Sequence, residues 1–162
     1  MELIVRKFSE LTTTELYEIL KLRVNVFVVE QNCPYPELDD RDQEALHVWY
    51  EENGQIQAYL RIMDKGAVSD YVSIGRVIAV KRRSGIGTRI VGDAIEIAKA
   101  YYGADTLYLE AQVYAKELYA KLGFREISDV FLEDGIPHVK MLREEIKGPD
   151  ACDMYPQNWT NQ

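Results

Sequence analysis

The sequence predicts a mixed α/β sheet covered by helices on both faces, in the order β-α-loop-β-β-β-α-β-α-β-β. Three observations carry this. Ile74 to Val80 is apolar and β-branched apart from Gly75 and Arg76, as in a strand covered on both faces. From Ile86 the period changes: Ile86, Ile90, Val91, Ala94, Ile95, Ile97 and Ala98 form an apolar face at helical spacing. Thr106 to Gln112 then reads as a second apolar strand, so the two strands flank a helix and should run parallel through a crossover connection.

The remaining elements follow in order. Leu3 to Phe8 is a short first strand. Thr12 with Glu15 matches a capping box and opens a helix that presents Leu16, Ile19, Leu20, Arg23, Val24 and Phe27 and ends near Glu30. Gln31 to Glu44 is a polar loop that the prolines of Cys33-Pro34-Tyr35-Pro36 keep out of regular pairing. Loops of this length are often binding loops or lids, and a solvated connector is the plain alternative. Ala45 to Glu52 and Gln55 to Lys65 are strands joined at Asn53-Gly54, a strong hairpin signal. Asp70 to Val80 follows, then the helix to about Tyr102, capped by Gly103. Ala115 to Leu122 is a short helix ended by Gly123. Phe124 to Glu133 and His138 to Leu142 form a last strand pair, linked through Asp134-Gly135-Ile136-Pro137. Residues 1–145 form the expected domain, and 146–162 a polar C-terminal tail.

The chain has 162 residues and a formal charge of −8, from 19 Lys plus Arg against 27 Asp plus Glu. That balance argues against nucleic acid and anionic membranes as partners. No apolar run reaches membrane-spanning length, and the first residues lack signal-peptide architecture. Cys33 and Cys152 have no metal-ligand spacing and form no disulfide framework, so no metal site is expected and a cytoplasmic location fits best.

Against this acidic background, Arg82-Arg83-Ser84-Gly85-Ile86-Gly87 stands between a strand and a helix. Glycines let the backbone turn sharply and let a ligand approach it. A helix N-terminus leaves amide N–H groups unpaired and carries partial positive charge, to which the arginines add. The sum suits a phosphorylated ligand; the plain alternative is a tight connection with solvated arginines. The stretch is neither a P-loop, since no Lys follows Gly87, nor a dinucleotide fingerprint, since Ile90 stands where a third glycine is required.

Several motifs together resemble the GNAT superfamily of acetyl-CoA-dependent N-acetyltransferases, and within it the ElaA-like branch. Arg82 to Gly87 fits the Q/R-x-x-G-x-G/A loop of that superfamily. Tyr119-Ala120-Lys121-Leu122-Gly123-Phe124 fits its Y-x-x-x-G-F motif. Leu22 to Tyr35, with Asp39, Asp42 and His47, is similar to the ElaA-like N-terminal signature, as is Glu133 to His138. The resemblance covers about Arg6 to Met141. It implies a mostly antiparallel sheet of about seven strands, with the fourth and fifth splayed at the cofactor site. It implies that Ile78, Ala79 and Val80 pair with the pantetheine arm of acetyl-CoA as an added strand would. It implies that Arg82, Arg83, Ser84, Gly85, Ile86, Gly87 and Thr88 hold the pyrophosphate.

The chemistry implied is direct attack of a primary amine on the thioester in a ternary complex. The amine must lose a proton, the developing oxyanion needs a donor, and the leaving thiolate needs a proton. The resemblance assigns the donor to the N–H of Ile78 and the acid to Tyr119. On spacing alone Tyr119 belongs to a core stripe with Ala115, Leu118 and Leu122. His47, Glu110 and His138 are candidates for the base, each with a structural alternative. Arg76 is expected to pair with Glu110 or touch substrate. Glu30, Asp39 and Asp42, with the acidic loop from Glu37 to Glu44, suggest a cationic acceptor. An acyl-CoA-binding regulatory or interaction protein without turnover is the alternative from another class, and a homodimer through exposed edge strands is a further expectation.

Overall fold

The computed structural model describes residues 1–145. The 146–162 tail lies outside the described residues. The strands are β1 (Glu2–Lys7), β2 (Leu46–Glu52), β3 (Gln55–Met63), β4 (Val72–Ala79), β5 (Thr106–Gln112), β6 (Arg125–Glu126), β7 (Phe131–Glu133) and β8 (Ile136–Glu144). The helices are α1 (Thr13–Val24), α2 (Ile86–Tyr102) and α3 (Lys116–Ala120). They build one sheet in the order β1-β2-β3-β4-β5-β8-β6, with β7 also on β8. Only the β4–β5 pair is parallel; the others are antiparallel.

Strand alternation divides the core between the two faces. Leu46, Val48, Tyr50, Leu60 and Ile62 pack with Ile90, Val91 and Ala94 of α2. Trp49, Tyr59 and Ile78 point the other way and pack with Ile19 of α1. The expected caps are present. Thr12 Oγ1 accepts from the N–H of Glu15, whose carboxylate accepts from the N–H of Thr12. Gly103 ends α2 at φ 65°. Asn53 and Gly54 turn the β2–β3 hairpin at φ 51° and 74°, as a two-residue turn with both central residues left-handed requires.

Two elements depart from the expectation. The first helix does not run uniformly to Glu30: after Val24 it widens into a π-helical turn over Asn25–Glu30, a form that recurs at functional sites. Phe124 to Glu133 is not one strand. Glu126 pairs with Met141 and Phe131 with His138, so five steps along one chain oppose three along the other. The surplus bulges out over residues 127–130, and the Ser128 hydroxyl accepts the N–H of Lys140 that a continuous strand would have taken.

The feature that positions the site is in β4. Arg61 of β3 pairs with Gly75, but Tyr59 pairs with Ile78, so Arg76 and Val77 together oppose Leu60 alone. This is a β-bulge, with Arg76 in the left-handed region at φ 55°. On its other edge β4 pairs with β5 only at Val72–Leu107 and Ser73–Tyr108. Past that point the two strands separate, which is the expected splay.

Candidate active site

The wedge between β4 and β5 opens into a cavity of about 430 Å³. Its β4 wall is Ile74 to Val77, its β5 wall Tyr108 to Glu110 with Gln112. The loop after α1 adds Cys33, Tyr35 and Asp39. Tyr119 of α3 and the β7–β8 hairpin, with Glu133, Asp134 and His138, close it. Five expected residues therefore meet here: Arg76, Asp39, Glu110, Tyr119 and His138.

Tyr119 is buried and its ring meets Phe124 edge to face at 6.1 Å. The core stripe and the cavity are thus served by one side chain. Burial raises the phenol pKa well above its ordinary value, so it is protonated at neutral pH. Glu110 is half-buried, and its Oε1 accepts a hydrogen bond from the Tyr108 hydroxyl at 2.8 Å. Strand register puts the Glu133 carboxyl on the same face as Glu110. The Glu133 pKa is raised, first by burial and then by the Glu110 charge. His138 stacks on Phe131 at 6.0 Å, donates Nδ1–H to the Ile136 carbonyl at 2.7 Å, and holds Nε2 3.9 Å from Glu133. Glu133 was not singled out by the sequence. The Asp134-Gly135 turn carried the signal: with Glu133 opposite Ile136 and Gln112 opposite His138, strand alternation puts Glu133 and Glu110 on one face.

His47 lies elsewhere. It is fully buried under α1; Nδ1 accepts from the Tyr59 hydroxyl at 2.8 Å and Nε2–H donates to the Asp42 carbonyl at 2.9 Å. Burial lowers its pKa. With both nitrogens occupied and no face on the cavity, His47 is a structural hydrogen-bonder.

Nor does Arg76 reach Glu110. Its Nε donates to Glu37 Oε1 at 2.9 Å and its Nη2 lies 3.5 Å from Asp39. Three acids of the loop are thereby paired with arginines of α1, β3 and β4. Glu37 and Asp42 are buried; Arg23 binds both, and Arg61 binds Asp42 and Asp39. Burial by itself would raise the Asp39 and Asp42 carboxyls. Arg61 beside Asp39, and Arg23 and Arg61 beside Asp42, more than offset it and hold both below the usual range. Three guanidinium groups meet three carboxylates, so Glu37, Asp39 and Asp42 form a pinned wall, while Asp40 and Glu44 of the same loop are exposed. The unneutralised acids of the cavity are Glu110, Glu133 and Asp134 instead. The ElaA-like signature residues Arg23, Asp39, Asp42 and His47 prove to be parts of this one buried network. Glu30 ends the π-helical turn outside the cavity, where it pairs with Arg82 at 2.6 Å.

The glycine loop sits at the far end of the wedge. Gly85 caps α2 at φ 82° and Arg83 is left-handed at φ 57°. The first helical bond runs from Arg89 N–H to the Gly85 carbonyl, so the N–H groups of Ile86, Gly87 and Thr88 precede the ladder and face outward from the helix start. A Cβ on Gly87 would lie 3.1 Å from Leu118 Cδ1, so the glycine lets α2 and α3 approach. Exposed Arg82, Arg83 and Ser84 surround these donors. The donor set fits a diphosphate.

A sheet split between its parallel strands, with an anion-binding helix start at one end and protonatable side chains at the other, defines an acyl-CoA-dependent acyltransferase. Residues 16–145 match the acetyltransferase (GNAT) domain, and the chain belongs to that family. It is 40% identical over 148 residues to a UPF0039 protein of Schizosaccharomyces pombe, covering 89% of this chain and 97% of that one. It is 37% identical to protein ElaA of Escherichia coli over 143 residues, 86% and 94% of the two chains. The crystal structure of E. coli ElaA superposes with a TM-score of 0.82 at 35% identity, covering 88% of this chain and 99% of that one. An acyl-CoA N-acyltransferase from Pseudomonas aeruginosa gives 0.81 at 36% identity with the same coverage. Among the described residues no helix is long and apolar enough to cross a membrane.

Proposed function

We propose that this protein is an N-acetyltransferase that moves an acetyl group from acetyl-CoA to a primary amine, of a small molecule or a peptide, by direct attack in a ternary complex. The observation that carries the reading is the parting of β4 from β5 after a single stretch of pairing, with the cavity behind it. Ile78, Ala79 and Val80 would hold the pantetheine arm along the free edge of β4, and Arg82 to Thr88 the pyrophosphate. Acetyl-CoA supplies an acetyl group activated as a thioester.

Glu110 takes the proton from the incoming ammonium, directly or through water. The free amine forms the new C–N bond. The oxyanion donor expected at Ile78 moves to Val77: the Val80 N–H bonds the Gln57 carbonyl, so by alternation the Ile78 N–H also points at β3, and the unpaired Val77 N–H is the one left to face the oxygen on which charge develops. As the C–S bond breaks, Tyr119 gives its proton to the thiolate. Glu110, Glu133 and Asp134 form an acidic wall that favours a cationic acceptor over a neutral or anionic one.

The test is free-thiol release from acetyl-CoA across a panel of amines. Release that depends on a cationic amine and is lost in Tyr119→Phe supports the reading. Tight acetyl-CoA binding with no thiol released for any amine points instead to a binding protein without turnover.

A further inference from the structure

A buried carboxylate outside the reacting groups binds the arginine at the bulge. Glu37 is 3% exposed. Its Oε1 accepts from Arg23 Nε and from Arg76 Nε, each at 2.9 Å. Its backbone carbonyl lies 3.3 Å from Nη2 of each of the same two arginines. One residue thus binds two guanidinium groups through the same pair of acceptors, one rooted in α1 and one in β4. The other carboxylate oxygen accepts the Tyr35 hydroxyl. The Arg76 guanidinium also lies over Tyr35 at 5.8 Å and over Phe27 at 6.0 Å, so it is held on several sides.

What makes this more than a stabilising contact is its place. Arg76 is the left-handed residue of the bulge, a conformation that a residue with a side chain adopts only when its surroundings impose it. Arg76 and Val77 lie between the register pairs Arg61–Gly75 and Tyr59–Ile78. Val80 N–H donates to the Gln57 carbonyl, so the Ile78 N–H two residues earlier also points at β3, and the unpaired Val77 N–H is the one that faces the wedge. Whatever holds Arg76 therefore sets where the next peptide group, with the Val77 N–H, points. We infer that Glu37 is a positioning residue: by clamping Arg76 it keeps the bulge formed, β4 parted from β5, and the Val77 N–H aimed into the wedge. This rests on the acyltransferase reading for the use made of that N–H, but the clamp itself is a property of the protein without substrate.

The test compares Arg76→Ala, Arg76→Gly and Glu37→Gln. Arg76→Ala keeps the buried Arg23–Glu37 pair, so the fold survives. It should lower kcat about tenfold or more while KM for acetyl-CoA stays within about threefold. The Val77 amide resonance should shift in the ligand-free protein. Arg76→Gly accepts positive φ without strain but has no clamp, and should lose kcat as well. Glu37→Gln removes the charge between two guanidinium groups and should lower kcat in the same direction as Arg76→Ala. An unmoved Val77 amide in Arg76→Ala, or wild-type kcat in Arg76→Gly, would overturn the inference. So would a raised KM for the amine with that amide unmoved, which would mean Arg76 simply touches the acceptor. Absence of turnover in the wild type would count against the acyltransferase reading alone, since the amide shift is read without it.

Discussion

Tyr119 and Glu110 enter the cavity from different elements, α3 and β5, and their environments set their roles. Burial keeps the phenol protonated, so its use is as an acid; Tyr119→Phe removes only the hydroxyl and should lower kcat by about 10²-fold or more with little change in acetyl-CoA affinity, read by steady-state kinetics beside calorimetry. Glu133 has its pKa raised by burial and by Glu110. Glu110→Gln removes the proposed base and should lower kcat/KM by about 10²-fold or more in steady-state kinetics; kcat/KM near that of the wild type would separate Glu110 from the proton transfer. At this scale the sequence was uneven. The Y-x-x-x-G-F motif marked Tyr119, although spacing alone said core, and it is both buried and cavity-lining. His47 illustrates the reverse: a histidine after an acidic loop reads as a base, but whether its nitrogens are free depends on Tyr59 and the Asp42 carbonyl, which only the packed fold brings to it.

Among the elements, those with strong periods were legible and those with irregular backbone were not. The α2 face, the Asn53-Gly54 hairpin and the Thr12–Glu15 capping box follow from side-chain pattern and turn chemistry. The bulge at Arg76 does not, because nothing in an arginine marks positive φ; the clamp that imposes it comes from a loop residue 39 positions earlier. The break between β6 and β7 was hidden for a similar reason, since Ile127 and Val130 look strand-like and the surplus residues show only in the register with β8. The glycine loop was read from composition, and its packing supports a distinct prediction. A Cβ at Gly87 already meets Leu118 at 3.1 Å and Ala79 at 3.7 Å. Gly87→Val adds two further methyl groups there and should destabilise by about 1–3 kcal/mol in urea unfolding while also weakening acetyl-CoA binding.

For the whole molecule, the Gln31–Glu44 loop, α1 and the β3–β4 pair are joined by buried charge rather than by apolar packing alone. Removing one partner of such a network is far more damaging than its net worth suggests, because the other charge is left buried. The network also makes stability depend on pH in two windows. His47 has a folded pKa below its ordinary 6.5, so the unfolded chain binds its proton more readily. Stability should therefore begin to fall as pH drops through about 6.5, and His47→Gln should flatten that slope in urea midpoints measured from pH 8 to 5. Asp39 and Asp42 are held below the ordinary 3.8; their contribution is present above that value and is lost as pH falls beneath it. Net charge and the acidic loop were legible as composition, but not that Glu37, Asp39 and Asp42 are occupied by Arg23, Arg61 and Arg76, nor that the cavity's other acids come from β5 and the β7–β8 hairpin. The β4–β5 wedge and the α2 start are proposed to form one acyl-CoA site. Calorimetric titration with acetyl-CoA and with desulfo-CoA should give micromolar binding of both ligands to the wild type and none to Gly85→Trp. No binding to the wild type, or equal binding to Gly85→Trp, would rule out that site.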